Sequence, residues 1–196
     1  MERDFQFPPR KFKGTDWYSV RPKHMTLEMS LIPEREPLLE IRFLSDGDLE
    51  EHLSALFTCS VELSLDGQSL LKDVPEGMRH SPKLDSEGFH GIVCLEFLSN
   101  LLKAADALNR GSSQEDVTLT ASLYSLVLRR NNDLVRITIE EELRSYHLGQ
   151  FSFNEFMLAV VVAAKSIVKA LAEANPNVRH APQGSHIIGM IANLTR

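Results

Sequence analysis

The chain has 196 residues, 43% of them apolar, with 21 basic against 27 acidic side chains and a net charge of −6. That is enough chain to bury a core as one domain without staples, and it excludes a disordered class. A negatively charged body repels phosphates at range, so nucleic-acid binding is not expected of it, and the longest unbroken apolar run, Phe156–Ala164, is nine residues, well short of the roughly 20 that a membrane span needs.

The charge is uneven. Residues 1–24 carry Arg3, Arg10, Lys11, Lys13, Arg21 and Lys23 against Glu2, Asp4 and Asp16, a net +3, which leaves −9 for the rest. Pro8, Pro9 and Pro22 deny this stretch regular pairing. It is expected to be a basic arm, anchored to the body by Phe5, Phe7, Phe12 and Trp17. A single α+β domain is expected over 25–178, and a tail free of acids over 179–196.

TLEMSLI (26–32) alternates, with Leu27, Met29 and Leu31 on one face. LLEIRFL (38–44) alternates in the same way, with Leu39, Ile41 and Phe43 inward, so the two read as strands of a hairpin across PEREP. SDGDLEEHLSALF (45–57) places Asp46, Asp48, Glu50 and Glu51 within six positions. The spacing lacks the calcium-loop pattern. It fits a short helix with Asp48 as its cap and Glu51 completing a capping box. CSVELSL (59–65) alternates again, Asp66-Gly67 is a tight-turn pair, and QSLLKDV (68–74) reads as the returning strand. Residues 75–88 are rich in Pro, Gly and Ser and read as a loop.

FHGIVCLEFLSNLLKAADALNRG (89–111) shows helical spacing through Ile92, Leu95, Leu98, Leu102, Ala105 and Leu108, with Gly91 placing the start nearer 92. VTLTASLYSLVLRR (117–130) and LVRITIEEEL (134–143) form the longest expected hairpin, turning at Asn131-Asn132-Asp133. At its end Glu140 and Glu142 share one face and Glu141 takes the other. The second long helix opens at Ser152, with Glu155 in capping-box position and Phe151 and Phe156 in staple position. Lys165, Lys169 and Glu173 mark a wet stripe only in its second half, so its first half is expected to be wrapped. Residues 186–194 suit a short helix or an edge strand. The expected fold is α+β: a mainly antiparallel sheet of about six strands with two long helices packed on one face.

No chemistry declares itself. The seven histidines show no zinc-ligand spacing. There is no nucleophile elbow and no glycine-rich phosphate cradle. Cys59 and Cys94 fall on apolar faces and read as buried free thiols. No catalytic residue, metal or cofactor is assigned. The absence of a charged–apolar–small leader fits a cytoplasmic protein.

The element order over 89–175, carried by FLSNLLKAADALNRG, the hairpin around LVLRRNNDLVRITI, and FSFNEFM with its helix, resembles that of small α+β immunity proteins of bacterial toxin–immunity systems. The resemblance implies a non-enzymatic binding protein that inhibits a toxin by occlusion, with a basic toxin domain as partner. The expected partner-facing acids are Asp46, Asp48, Glu50, Glu51, Glu140, Glu141 and Glu142. An alternative is an enzyme or small-ligand domain with a site near the 75–90 loop, built from His80, Asp85, Glu87 and His90. A homodimer through the edge of the 117–143 hairpin is a third expectation.

Overall fold

The computed structural model describes residues 26–79, 83–119 and 122–196. The basic arm with its aromatic anchors, and His80, lie outside them.

Among the described residues the fold is α+β, with eight strands in two antiparallel sheets rather than one sheet of six. The first sheet contains β1 (Leu27–Pro33), β2 (Thr58–Leu65), β3 (Gln68–Ser69) and β4 (Phe89–Val93). β2 is its centre. β1 runs along one side in unbroken register, Leu27↔Leu65 to Pro33↔Cys59, and β3 and β4 share the other side end to end. The second sheet runs in sequence order: β5 (Gln114–Thr118), β6 (Ser125–Asn131), β7 (Leu134–Glu141) and β8 (Arg144–Ser152).

The described residues also form five α-helices: α1 (Arg35–Ile41), α2 (Asp46–Glu51, prolonged by a π turn over His52–Leu56), α3 (Cys94–Asn109), α4 (Phe153–Ala174) and α5 (Pro182–Leu194). α4 lies along β1, α3 lies along β5, and α5 packs against both long helices. The inward residues of both sheets and the apolar faces of α3, α4 and α5 merge into one core. Each fully buried Leu, Ile, Val or Phe stabilises the fold by about 1.5–3 kcal/mol relative to exposure.

Several local expectations hold. Asp66 and Gly67 both take positive φ, 51° and 74°, as a two-residue type I′ hairpin requires. Ser152 and Glu155 form a reciprocal capping box, the Glu155 N–H donating to Ser152 Oγ at 3.1 Å and the Ser152 N–H to Glu155 Oε2 at 3.1 Å. Cys59 and Cys94 are buried free thiols.

Others give way to competing physics. Residues 35–41 form a helix, not the second strand of a hairpin. Pro37 sits in its first turn, where a missing N–H costs nothing, and the pair that faces the core is Leu38 and Ile41, three apart, while Phe43 is 87% exposed. The α2 cap is Ser45, not Asp48: Ser45 Oγ donates to Asp48 Oδ2 at 2.6 Å and accepts from the Asp48 N–H at 3.5 Å. The strand expected over 68–74 stops at Ser69, whose hydroxyl accepts from the Leu71 N–H and turns the chain. Residues 89–93 are a strand, and the helix begins only at Cys94. β8 escapes sequence reading because a bulge at Leu148 breaks its alternation: Ile137 pairs with Gly149 and Thr138 with His147. The first half of α4 is not fully wrapped, for Leu158 and Val162 are 61% and 54% exposed.

Candidate functional site

The alternation of β2 sends Cys59, Val61 and Leu63 into the core and Ser60, Glu62 and Ser64 to the opposite face. β1 adds Glu28, Ser30 and Ile32 to that face. β4 pairs with β2 through Cys59↔Ile92 and Val61↔Phe89. One residue, Ser60, lies between those pairs on β2, whereas two, His90 and Gly91, lie between them on β4. This β-bulge keeps Ile92 and Phe89 buried while swinging His90 to the face of Ser60. Gly91 supplies the bend with φ +60°, a conformation that side-chain-bearing residues rarely adopt.

Glu34 clamps the bulge. Its Oε1 accepts from the Gly91 N–H at 3.1 Å, its Oε2 accepts from Thr58 Oγ1 at 2.6 Å, and its own N–H donates to the Thr58 carbonyl at 3.1 Å. The loop preceding β4 is equally fixed. Asp85 Oδ1 accepts from the N–H groups of Glu87 (2.7 Å) and Gly88 (3.0 Å), and the His90 N–H donates to the Lys83 carbonyl at 2.8 Å. Ser69 Oγ ties the loop to β3 by donating to the Ser86 carbonyl at 2.7 Å.

Three side chains converge as a result. Ser60 Oγ lies 2.9 Å from His90 Nδ1, and His90 Nε2 lies 3.0 Å from Asp85 Oδ2. Nε2 is shielded from water. Its contact with Asp85 is close and electrostatic rather than ideally aligned. Partial burial pushes the Asp85 carboxyl up, but the Glu87 and Gly88 N–H groups and the neighbouring imidazole together outweigh it and hold the group below its ordinary value. The anionic carboxylate favours the tautomer with its proton on Nε2, which leaves Nδ1 to accept from the Ser60 hydroxyl.

Of the residues expected near the 75–90 loop, Asp85 and His90 are thus brought together, Glu87 contributes its backbone while its side chain is exposed, and His80 is outside the described residues. Ser60 carried no local signal: only the register of β2 against β4 pairs it with His90.

The seven acids singled out from the sequence sit in two separate segments, α2 and the end of β7 with its following turn. Asp46 accepts from Asn177 Nδ2 at 2.7 Å and Glu50 accepts from the Gln183 N–H at 3.3 Å, so both hold the C-terminal segment in place. Asp48 belongs to the α2 cap and Glu51 is exposed. Glu140 meets Arg129 at 3.3 Å, Glu141 is 5% exposed, and Glu142 is exposed in the β7–β8 turn. Glu141 and Glu142 line a groove of about 560 Å³ with Leu123, Leu143 and Arg144. A different set of acids, Glu28, Glu62, Asp85 and Glu87, borders the open face of the first sheet.

Among the described residues no group of three or more His, Cys, Asp or Glu is placed to hold a metal ion, and no helix is long and apolar enough to cross a membrane. No protein-family model, no curated protein and no solved structure matches this chain.

Proposed function

We propose that the protein acts by binding another protein, as a stoichiometric inhibitor of the immunity type that occludes a basic toxin domain. The observation that supports this reading is the open face of the first sheet. β1 and β2 present Glu28, Ser30, Ile32, Ser60, Glu62 and Ser64 away from the core, and the adjoining loop adds exposed Asp85 and Glu87. A face bordered by acids, on a body of net charge −9, complements a surface built to hold phosphates and draws a basic partner in at range. Ile32, 45% exposed and paired with Ser60 across β1 and β2, offers an apolar contact on this face. Exposed Glu51 and Glu142 on other elements add to the same field.

The test is affinity capture on the tagged chain from an extract of its source organism, followed by association kinetics with the captured protein. The expected partner is basic, binds one to one and loses its activity when bound. Glu28→Lys combined with Glu62→Lys and Glu87→Lys is expected to slow association about tenfold or more at low salt, with the gap closing as salt rises. An on-rate indifferent to these reversals at every salt concentration overturns the assignment.

A further inference from the structure

We propose that Ser60 is an activated serine, a hydroxyl that accepts acyl or phosphonyl groups from small neutral or cationic activated esters, with His90 as its base. The geometry carries the assignment. Ser60 Oγ and His90 Nδ1 are 2.9 Å apart, within reach for direct proton transfer, and Asp85 Oδ2 stands 3.0 Å from the far nitrogen of the same ring. The backbone brings the three residues together: Ser60 lies in the central strand, His90 in a bulge that Glu34 clamps, and Asp85 in a loop whose two N–H donors hold its carboxylate. The bulge gives up one position of the ladder and a left-handed φ at Gly91. What it achieves is to place His90 beside Ser60. Ser64, four residues further along β2 on the same face, differs: its Oγ donates toward Glu28 Oε2 at 3.4 Å rather than to an imidazole.

The step balances without another reactant. Ser60 Oγ forms a bond to the carbonyl carbon or phosphorus of the ester. The bond to the leaving group breaks, its electron pair departing with the phenolate or fluoride. The hydroxyl proton passes to His90 Nδ1 and from there to the leaving group or solvent, while Asp85 offsets the charge on the imidazolium. Glu62 lies on the same face of β2, Asp85 meets His90, and Glu34 and Lys83 flank Gly91; the acids outnumber the one lysine, and their net charge disfavours anionic esters. This chemistry is independent of whether the same face binds a protein.

The experiment uses the folded full chain with a fluorophore-bearing fluorophosphonate and, separately, p-nitrophenyl acetate. The expected result is one phosphonyl group per chain, located on Ser60 by peptide mass, with none on the heat-unfolded chain. Ser60→Ala is expected to abolish labelling and Ser64→Ala to preserve it. His90→Gln is expected to slow labelling about 100-fold or more. Asp85→Asn is expected to slow it as well, with partial recovery in Asp85→Glu. A folded wild-type chain that takes up no probe, a label mapped to another residue, or a His90→Gln variant labelled at the wild-type rate overturns the proposal. The peptide map is made on the unmodified sequence, so a variant that fails to fold leaves the test intact.

Discussion

Asn175 and Ile41, 134 positions apart in the chain, are joined by one hydrogen bond, the Asn175 Nδ2 donating to the Ile41 carbonyl at 3.0 Å. The same amide reaches the Leu44 carbonyl at 3.5 Å, and its Oδ1 accepts from the Asn177 N–H at 3.0 Å. Asn175 is 7% exposed, so a single buried side chain ends α4, starts the following 3₁₀ turn and ties both to the end of α1. Asn175→Ala leaves these groups without a partner, which is expected to cost about 1–3 kcal/mol. Asn175→Asp keeps the acceptor for Asn177 but loses both donations, and is expected to be no more stable than the alanine variant. Urea unfolding followed by circular dichroism measures both; a midpoint that barely moves in either variant contradicts the tie.

α5 approaches the turn before it closely enough to leave no room for a methyl group at Gly184. A Cβ there stands 1.9 Å from the Val178 carbonyl oxygen and 2.9 Å from its carbon. Gly184→Ala must therefore lift α5, with its buried Ile187 and Ile191, off the core, at an expected cost of about 1–3 kcal/mol or more. Gly189, in the same helix, faces open space. Gly189→Ala is expected to stabilise by about 0.5–1 kcal/mol, because alanine loses less backbone freedom in a helix. Opposite shifts in thermal midpoint for the two variants are the expected outcome, and equal shifts contradict the close approach.

The features legible in the sequence are those fixed by neighbours in the chain. The Ser152/Glu155 box and the Asp66-Gly67 turn are each set within a few residues and form as read, and the helical spacing holds from Leu95 to Leu108, while Ile92, read with it, falls in β4. The features that escape depend on partners far along the chain. Residues 38–44 carry strand alternation, yet core contacts through Leu38 and Ile41 select the helix. The bulge at Leu148 hides β8, and the bulge at His90-Gly91 hides the Ser60 contact, since a bulge shifts which residues face each other without altering local composition. Asp85 and His90 could be nominated because they are titratable and close in sequence. Ser60 is one serine among many until the register is known.

The two thiols supply a probe of the core. Cys59 and Cys94 are buried together, and burial first, then the neighbouring Cys59 thiol, pushes the Cys94 thiol well above its ordinary value. Burial keeps both sulfurs from the reagent, and Cys94 is in addition held as the less reactive thiol, so both groups are expected to resist a disulfide reagent such as DTNB in the native chain. The expected outcome is two equivalents released promptly in strong denaturant and almost none over the same time without it, with the native rate rising as denaturant is added. Prompt release of one equivalent from the folded chain places a thiol at the surface and contradicts the packing of β2 against the start of α3.

The acid sensitivity of the loop before β4 follows from Asp85. Its carboxyl ionises in the folded chain at lower pH than the ordinary 3.8, so the folded loop binds its proton more weakly than the unfolded chain does. Its stabilising contribution is therefore complete above that ordinary value and is lost as pH falls through the lower, folded one. Protonation removes the charge that faces His90 and weakens acceptance from the Glu87 and Gly88 N–H groups. Amide exchange of those two groups is the direct measurement. Their protection, relative to that of β2, is expected to hold down to about pH 4 and to fall below it, whereas in Asp85→Asn it is expected to vary far less over the same range. Protection that falls equally in both chains assigns the acid sensitivity to other carboxylates.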